Sequence, residues 1–290
     1  MRKGNIKFIL EESNRFNNKF ILCEENNMLK DKKLFLLDID GTIALDTTLI
    51  DGTLDFMNHV LSIGGKYIFI TNNSTKSIDD YVVKFDKFGI KVDETSFVTS
   101  SYATALYLKE TYKDDKIFVL GTKSFIEELK KFGVNVTENQ DKDIVCAVVG
   151  FDNELEYKKI ENICELLLTR DIDYIATNPD LVCPTTFGFV PDCGAICEMI
   201  GYAVKREPLY IGKPNKKIVE MCLKQTGFTK EETLVIGDRL YTDIACGING
   251  GVDTCILFTG EAKKEDIVNT EFKPTYSFET IKELYEEIAF

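Results

Sequence analysis

Short apolar runs alternate with amphipathic segments along most of the chain, and this alternation restricts the fold more than any other feature of the sequence. The runs have the length of buried strands, and the apolar residues between them recur at helical spacing. Strand, helix and strand in succession form a βαβ unit, and such units in series build a parallel sheet covered by helices. The sequence therefore predicts an α/β fold with Rossmann-like parallel sheets. The predicted strands are Leu34–Leu37, Tyr67–Ile70, Phe97–Val98, Ile117–Leu120, Ile144–Val149, Tyr174–Thr177, Leu209–Ile211, Leu234–Ile236 and Thr254–Leu257.

The alternating elements fall into two sets, which predicts that one α/β domain is interrupted by another. The charged stretch KDDK at residues 113–116 precedes the second set. Glu207-Pro208 follows it, and a proline disfavours helix in the residue before it. We therefore expect an N-terminal extension over residues 1–30, a core domain over residues 31–112 and 208–290, and an inserted α/β domain over residues 113–207.

The charge balance restricts the possible partners. The chain has 35 Lys and Arg against 48 Asp and Glu, a formal net charge of −13. Such an acidic protein repels a phosphate backbone, which argues against a nucleic-acid polymer, but one small anion can still bind at a local positive site. No apolar run approaches the roughly 20 residues of a membrane span, and the N-terminus has no apolar signal segment. We expect no membrane contact and a small molecule as the partner.

The cysteines and the single histidine exclude several chemistries. The nine cysteines include no CxxC pair, and their odd number in a long chain argues against a disulfide framework. Reduced thiols fit a cytoplasmic protein. Cys193 and Cys197 lack a second Cys/His pair that would complete a zinc site. His59 lies among helically spaced apolar residues, which indicates a structural role and argues against Ser-His and Cys-His hydrolysis.

The stretch LFLLDIDGT at residues 34–42 ends a buried strand in two carboxylates, Asp38 and Asp40. Residues two apart on a strand start toward the same side, and open parallel sheets bind ligands at the carboxyl ends of their strands. Gly41 permits a sharp turn at this point. Two like charges so close together are costly unless a metal or a shared proton relieves them, which indicates a functional site.

A second strand end, FITNNST at residues 69–75, carries hydroxyl and amide side chains. The hydroxyl of Thr71 and the backbone N–H groups of Asn72 and Asn73 are suited to a phosphate. The same residue types also suit a helix N-cap, so this stretch alone does not decide between the two.

Two later strand ends add a cation and two acids. Lys213, in Gly212-Lys213-Pro214, would neutralise a phosphate beside carboxylates, although most lysines are solvated surface charges. In IGDRLYTDI, Asp238 follows an apolar strand and offers an oxygen ligand to a hard cation. Asp243 lies five residues further on, near a helix start, where an acid also suits the helix dipole.

DIDGT, TNNS, GKP and GDRLYTD follow one another in this order, and the set resembles the haloacid dehalogenase superfamily of aspartate-nucleophile phosphatases. Within it, the sequence is most similar to the NagD-like, p-nitrophenylphosphatase-like subfamily, which carries a large α/β cap. The resemblance runs from Lys32 to the C-terminus and includes ATNPD at 176–180 and Phe258-Thr259-Gly260. It implies that the inserted domain is the cap.

The resemblance implies a magnesium-dependent, two-step hydrolysis of a phosphate monoester. Asp38 forms an aspartyl-phosphate, while Asp40 protonates the leaving alcohol and then activates water. Mg²⁺ is held by Asp38, Asp238 and the backbone carbonyl of Asp40, and Asp243 orients this shell or Lys213. A charge tally over these groups leaves a negative excess, which favours a protonated Asp40. The phosphate contacts implied are those of Gly41, Thr71, Asn72, Asn73 and Lys213.

In the expected cap, Asn178, Pro179 and Asp180 form a turn in the stretch that the family directs at the active site. We therefore assign Asn178 and Asp180 to substrate binding, although an ordinary Asn-Pro turn explains the same sequence. The family's PGxG-like loop reads Pro191-Asp192-Cys193-Gly194 here. Asp192 replaces a glycine, which puts the usual loop geometry in doubt and disfavours a second phosphate on the substrate.

Three other functions fit parts of the same pattern. A phosphotransferase or phosphomutase would use the same core residues with another acceptor. A receiver-like signalling domain has its nucleophile on a later strand and carries no such cap, and non-catalytic relatives usually lose a motif acid. The substrate, among nucleotide monophosphates, sugar phosphates and similar esters, stays open, as does the choice between monomer and homodimer.

Overall fold

The computed structural model describes residues 29–290 of the chain. Almost all of the predicted N-terminal extension, residues 1–28, lies outside the described residues. Among the helices of the described part, none combines the length and apolar character that a membrane crossing requires.

Strands and helices alternate as the sequence predicts. The strands are β1 (Leu34–Leu37), β2 (Ala44–Leu45), β3 (Thr48–Leu49), β4 (Lys66–Thr71), β5 (Phe97–Thr99), β6 (Lys116–Leu120), β7 (Val136–Thr137), β8 (Ile144–Val149), β9 (Asp173–Ala176), β10 (Val182–Thr185), β11 (Gly188–Pro191), β12 (Leu209–Tyr210), β13 (Thr233–Gly237), β14 (Asp253–Leu257) and β15 (Tyr276–Phe278). The helices are α1 (Thr53–Ser62), α2 (Ile78–Lys87), α3 (Ser100–Tyr112), α4 (Lys123–Lys131), α5 (Tyr157–Thr169), α6 (Cys193–Val204), α7 (Lys217–Thr226), α8 (Ala245–Gly250), α9 (Asp266–Asn269) and α10 (Ile281–Ala289).

Six parallel strands form one sheet in the order β15-β14-β13-β1-β4-β5, which we call the core sheet. Its inner strand β1 is buried at every residue. An unbroken apolar run such as LFLL is what a strand covered on both faces requires. Leu34 of β1 pairs with Thr233 of β13 on one side and with Lys66 of β4 on the other. The predicted parallel α/β fold is confirmed.

Five parallel strands form a second sheet in the order β12-β9-β8-β6-β7, which we call the cap sheet. The predicted boundary after residue 207 assigns the strand at Leu209 to the core. Instead, Leu209 pairs with Ile175 and Tyr210 with Ala176, so this strand forms the edge of the cap sheet. The sequence pattern identifies a strand but not the sheet it joins, because pairing is a long-range contact.

The two sheets share apolar packing on the side where they face each other. One buried cluster contains Leu34 and Ile68 of the core sheet together with Ile117 and Val148 of the cap sheet. Polar contacts continue the junction: Ser74 Oγ accepts a hydrogen bond from Phe151 N at 2.8 Å. The carboxyl end of the cap strand β8 therefore faces the loop that follows β4.

Helix α2 begins at a capping box that the sequence itself specifies. The side chain of Ser77 accepts from the backbone N–H of Asp80, and the side chain of Asp80 accepts from the backbone N–H of Ser77. This exchange satisfies two N–H groups that the first helical turn leaves without partners. It fixes the direction of α2, whose inner face carries Tyr81 and Lys84.

Candidate active site

The motif residues converge because their strands are neighbours. Strands β13, β1 and β4 lie side by side and parallel, so their carboxyl ends meet at one edge of the core sheet. Asp38 follows β1, Asp238 follows β13, and Thr71 ends β4. All three side chains are buried.

Three carboxylates form a tight group at this edge. Asp38, Asp238 and Asp243 each present an oxygen atom, and these atoms lie within 4.8 Å of one another. Lys213 lies against two of them: its Nζ is 2.6 Å from Asp38 Oδ1 and 2.6 Å from Asp243 Oδ1. The same ammonium group donates to the carbonyl of Ile70 at 3.0 Å, so its position is fixed by three acceptors.

Asp243 has both oxygens engaged by protein groups. One accepts from Lys213, and the other accepts from the backbone N–H of Arg239 at 3.0 Å. A π-helical turn at Leu240–Ile244 carries the side chain back under the end of β13. A Cβ at Gly237 would lie 2.3 Å from Asp243 Cβ, so only glycine fits there. This arrangement suits an orienting group for Lys213.

Asp238 sits in a cradle made by glycines. A Cβ at Gly41 would lie 2.6 Å from its Oδ2, and one at Gly260 would lie 1.9 Å away. The same oxygen accepts from the backbone N–H of Glu261 at 2.8 Å. Thr259 Oγ1 donates to the carbonyl of Gly41 at 2.6 Å, which joins the two walls of the cradle. Gly41 has φ of 100°, a conformation that other residues rarely adopt.

The charges at this edge do not balance within the protein. Burial raises the pKa of Asp38 from 3.8 to about 7, although Lys213 opposes the rise. Burial and the neighbouring Asp38 and Asp243 raise the pKa of Asp238 well above its usual value. Burial disfavours the charge on Lys213, yet Asp243 and Asp38 hold the pKa of its ammonium above 10.5. A buried set of carboxylate oxygens with one lysine fits a divalent metal ion, which would supply the missing positive charge.

Asp40 lies at the same cavity as Asp38 but has different partners. Lys84 Nζ is 3.2 Å from its Oδ1, and Asn73 Nδ2 is 3.4 Å from its Oδ2. Lys84 was not predicted as a site residue, although it lies one helical turn after Tyr81 on the same face of α2. The charge tally from the sequence did not include this lysine, which places one more positive charge beside Asp40.

Asn72 joins the phosphate motif to the lysine motif. Its Oδ1 accepts from Lys213 N at 2.8 Å, and its Nδ2 donates to Lys213 O at 3.0 Å. The backbone N–H of Asn73 donates to Thr71 Oγ1 at 3.1 Å. The Asn72 side chain and the Asn73 N–H group are therefore engaged within the protein, and the Thr71 hydroxyl is hydrogen-bonded to Tyr81.

The cap residues Asn178 and Asp180 contact the core instead of pointing into free space. Asn178 Nδ2 donates to the carbonyl of Asn72 at 2.6 Å. Asp180 accepts from Asn72 Nδ2 at 3.2 Å and from Arg239 Nη1 at 2.5 Å. Arg239 was missed because GDRLYTD was interpreted for its two acids only. Asp192 is buried and caps helix α6 through Cys193 N, which explains an acid at this position of the loop.

Two family profiles match the chain. One described as haloacid dehalogenase-like hydrolase matches residues 35–135, and one described as HAD-hydrolase-like matches residues 210–284. An acid sugar phosphatase of Staphylococcus aureus (strain MRSA252) is 34% identical over 260 residues, which are 90% of this chain and 99% of that protein. The chain belongs to the haloacid dehalogenase-like hydrolases.

Two solved structures narrow the position of this hydrolase within the family. The 4-nitrophenylphosphatase from Thermotoga maritima superposes with a TM-score of 0.84 at 35% identity, over 90% of this chain and 99% of that one. NagD from E. coli K-12 gives a TM-score of 0.76 at 29% identity, over 87% and 98% of the two chains. The hydrolase is a NagD-like phosphatase, and the resemblance of its motifs is confirmed.

Proposed function

We propose that this phosphatase hydrolyses small phosphate monoesters with Mg²⁺ and an aspartyl-phosphate on Asp38. The observation that carries the proposal is the contact of Asp38 with Lys213 beside two further buried carboxylates. A carboxylate held by a lysine next to a divalent metal site is arranged to approach a phosphorus atom, because both cations reduce the repulsion between the two anions.

The residues divide the two steps between them. Asp38 attacks phosphorus, the bond to the leaving oxygen breaks, and Asp40 supplies the proton that the departing alcohol requires. Asp40 then takes a proton from the water that hydrolyses the aspartyl-phosphate. Thr71 and Lys213 donate hydrogen bonds to the phosphoryl oxygens, and Asp243 keeps Lys213 in place. When bound, Mg²⁺ would be held by Asp38, Asp238 and the carbonyl of Asp40, and it would neutralise charge that develops on the phosphoryl group.

The proposed substrates are sugar phosphates or similarly small esters, with p-nitrophenyl phosphate as a surrogate. The names of the relatives, acid sugar phosphatase and 4-nitrophenylphosphatase, support this choice. The buried Asp192 supports a substrate with a single phosphate, because it adds a carboxylate to the cavity wall. The eight described cysteines are free, which agrees with the proposed cytoplasmic location.

The test is phosphate release from a panel of sugar phosphates, nucleotide monophosphates and p-nitrophenyl phosphate, with and without Mg²⁺. Wild type is compared with Asp38→Asn. Magnesium-dependent release that disappears in the variant supports the proposal, and the best ester gives the substrate class. Normal release by Asp38→Asn would refute the nucleophile. Transfer to an added alcohol in preference to water would instead assign a phosphotransferase.

A further inference from the structure

Arg239 connects the metal-site motif to the cap. It directly follows Asp238, and its buried side chain lines the cavity of Asp38 and Asp40 while it contacts residues of the cap. Nη1 donates to Asp180 Oδ2 at 2.5 Å, and Nη2 donates to the carbonyl of Val182 at 2.8 Å. Nε lies 2.9 Å from Glu261 Oε2 in an ion pair.

Asp180 is bound from a second side by the core. Its Oδ1 accepts from Asn72 Nδ2, the same amide nitrogen that donates to the carbonyl of Lys213. The backbone carbonyl of Asp180 accepts from Gly194 N at 2.8 Å, at the start of helix α6. One cap carboxylate thus contacts the neighbours of both the metal-site acid and the catalytic lysine.

These contacts lie at the base of the hairpin formed by β10 and β11, which covers the active site. Cys183 and Pro184 of β10 line the cavity opposite Asp38 and Asp40. With the hairpin in this position the cavity measures about 20 Å³, close to the space that one water molecule needs. A phosphate ester is larger, so the cavity must widen to admit it, and the hairpin forms one of its walls.

The Arg239–Asp180 ion pair is buried, so breaking it while the hairpin stays in place is unfavourable. The side chains of Arg239 and Asp180 are 9% and 4% exposed, so loss of the pair would leave the buried Asp180 carboxylate with the Asn72 amide but no cation bound to it, and Arg239 with Glu261 alone. Burial raises the pKa of Asp180 and Arg239 opposes this, in keeping with a carboxylate that is stable here only as part of the pair. A half-formed contact is therefore unfavourable compared with either a closed pair or two hydrated charges.

We propose that Arg239 and Asp180 form a latch that holds the β10–β11 hairpin closed over the catalytic carboxylates. Arg239 is then a positioning residue that acts through the hairpin, although its side chain also borders the cavity. The inference rests on the proposed function, because closure serves hydrolysis by excluding bulk water from the aspartyl-phosphate. Asp180 accordingly acts in closure, where the sequence analysis had assigned it to substrate binding.

Cys183 offers a direct reporter of the hairpin position. It is one of two described cysteines that are partly exposed; the other is Cys164, and Cys23 lies outside the described residues. In a Cys23→Ser, Cys164→Ser background, a bulky aromatic disulfide reagent should react faster with Cys183 when the hairpin opens, because the thiol is only partly exposed in this structure. The remaining cysteines are buried and react only on unfolding.

The variants are Arg239→Gln, Asp180→Asn and the two combined, each in the reporter background. We expect each single variant to label Cys183 about tenfold faster or more, since a charge-assisted hydrogen bond is lost. The double variant should label no faster than the singles, because the latch is already open. The direct effects on the thiol have opposite signs, since Arg239 lowers the pKa of Cys183 and Asp180 raises it. A rise in both singles therefore reports opening.

Kinetics supply a second readout, and Arg239→Lys supplies the rescue. We expect kcat for p-nitrophenyl phosphate to fall about tenfold in Arg239→Gln. Arg239→Lys should recover part of this loss, because it keeps a positive charge beside the Asp180 carboxylate. Labelling within twofold of the parent in both folded single variants would overturn the latch. If Arg239→Gln unfolds and all its thiols react, the Cys183 labelling rates of Asp180→Asn and Arg239→Lys test the latch instead.

Failure of the proposed chemistry can be told apart from failure of the latch. Asp38→Asn leaves Arg239 and Asp180 intact, so it should label Cys183 at the parent rate even though phosphate release is lost. Release that is independent of Mg²⁺ or of Asp38 would refute the chemistry while the labelling rates still decide the latch.

Discussion

Asp40 depends on a residue that lies outside every motif. Lys84 Nζ is 3.2 Å from Asp40 Oδ1, and its side chain is only 13% exposed. The helix α2 that carries Lys84 is fixed by its capping box, so the lysine reaches the carboxylate from a rigid support. A rigid partner sets the direction of the Asp40 oxygens more closely than solvent would.

Replacement of Lys84 by methionine should therefore lower kcat. We expect a loss of about 10- to 100-fold, because proton transfer needs a correctly aimed carboxyl group. Steady-state rates with p-nitrophenyl phosphate measure it. Lys87→Met is the matched control, since Lys87 lies on the same helix and is exposed. Equal rates in both variants would show that Lys84 does not position Asp40.

The glycine cradle around Asp238 predicts a steric sensitivity at Gly260. Its Cβ would lie 1.9 Å from Asp238 Oδ2, so Gly260→Ala must displace this carboxylate. Displaced ligands bind metal 10- to 100-fold more weakly as an order of magnitude, and we expect such a rise in the Mg²⁺ concentration at half-maximal rate. Gly201→Ala is the control, because its Cβ would meet only Arg206 O at 3.4 Å. A normal Mg²⁺ requirement in Gly260→Ala would contradict the assigned metal site.

At the scale of elements, Glu128 joins helices α4 and α2. Its Oε1 accepts from the backbone N–H of Ile78 at 2.8 Å, the first residue of α2. Burial raises the pKa of Glu128 from 4.5 to about 7, although the hydrogen bond with the backbone of Ile78 and the Ser101 side chain oppose the rise. The carboxyl group is thus easier to bury protonated than ionised.

This shift predicts a pH dependence of stability. A folded-state pKa above the unfolded one contributes stability that is complete below about pH 4.5 and is lost as the pH rises through about 7. The loss amounts to about 3 kcal/mol in the free energy of unfolding. Glu128→Gln does not titrate, so its stability relative to wild type should rise between pH 5 and pH 8, as measured by urea unfolding. A constant difference across this range would show that Glu128 keeps an ordinary pKa.

The sequence predicts elements well where local signals decide them. Strand β1 is an unbroken apolar run, and α2 has its own capping residues, so both appear where expected. Strand pairing is not decided by local signals: β12 is predicted as a strand of the core domain, but it pairs with Ile175 in the cap sheet. An apolar run in the sequence does not indicate which sheet edge the strand will pair with.

The same limit applies to the candidate site. Asp38, Asp40 and Asp238 were predicted because each acid ends an apolar strand. Arg239 was not, because its partner Asp180 lies 59 residues away, in the cap. The β10–β11 hairpin was also missed, and the closed position of Asp180 depends on it. Contacts between domains leave no periodic signal in a single sequence.

At the scale of the whole molecule, the proposed Mg²⁺ site among the buried acids predicts that this ion stabilises the fold. A ligand that binds only the folded state stabilises it, by about 3 kcal/mol at a hundredfold excess over Kd. We expect Mg²⁺ to raise the Tm of wild type by several degrees in thermal unfolding.

Asp238→Asn provides the contrast. It removes one of three crowded buried charges, so its Tm without Mg²⁺ should equal or exceed that of wild type. Added Mg²⁺ should then leave the Tm of Asp238→Asn unchanged. A Mg²⁺ shift of equal size in both proteins would mean that the ion binds elsewhere.

The strand order of the core sheet has a consequence for synthesis on the ribosome. Strand β1 pairs with β13, so Leu34 cannot form its pairing until Thr233 has been synthesised. The centre of the core sheet is therefore incomplete when the whole cap sheet, from β6 to β12, has already emerged from the ribosome. Pairings across so long a stretch of chain form slowly. Ribosome-stalled chains that end before β13 should therefore show a protease-resistant cap and a digestible N-terminal part. The nascent chain acquires the proposed nucleophile Asp38 early and the proposed metal ligand Asp238 late, so we expect it to be inert until it is nearly complete.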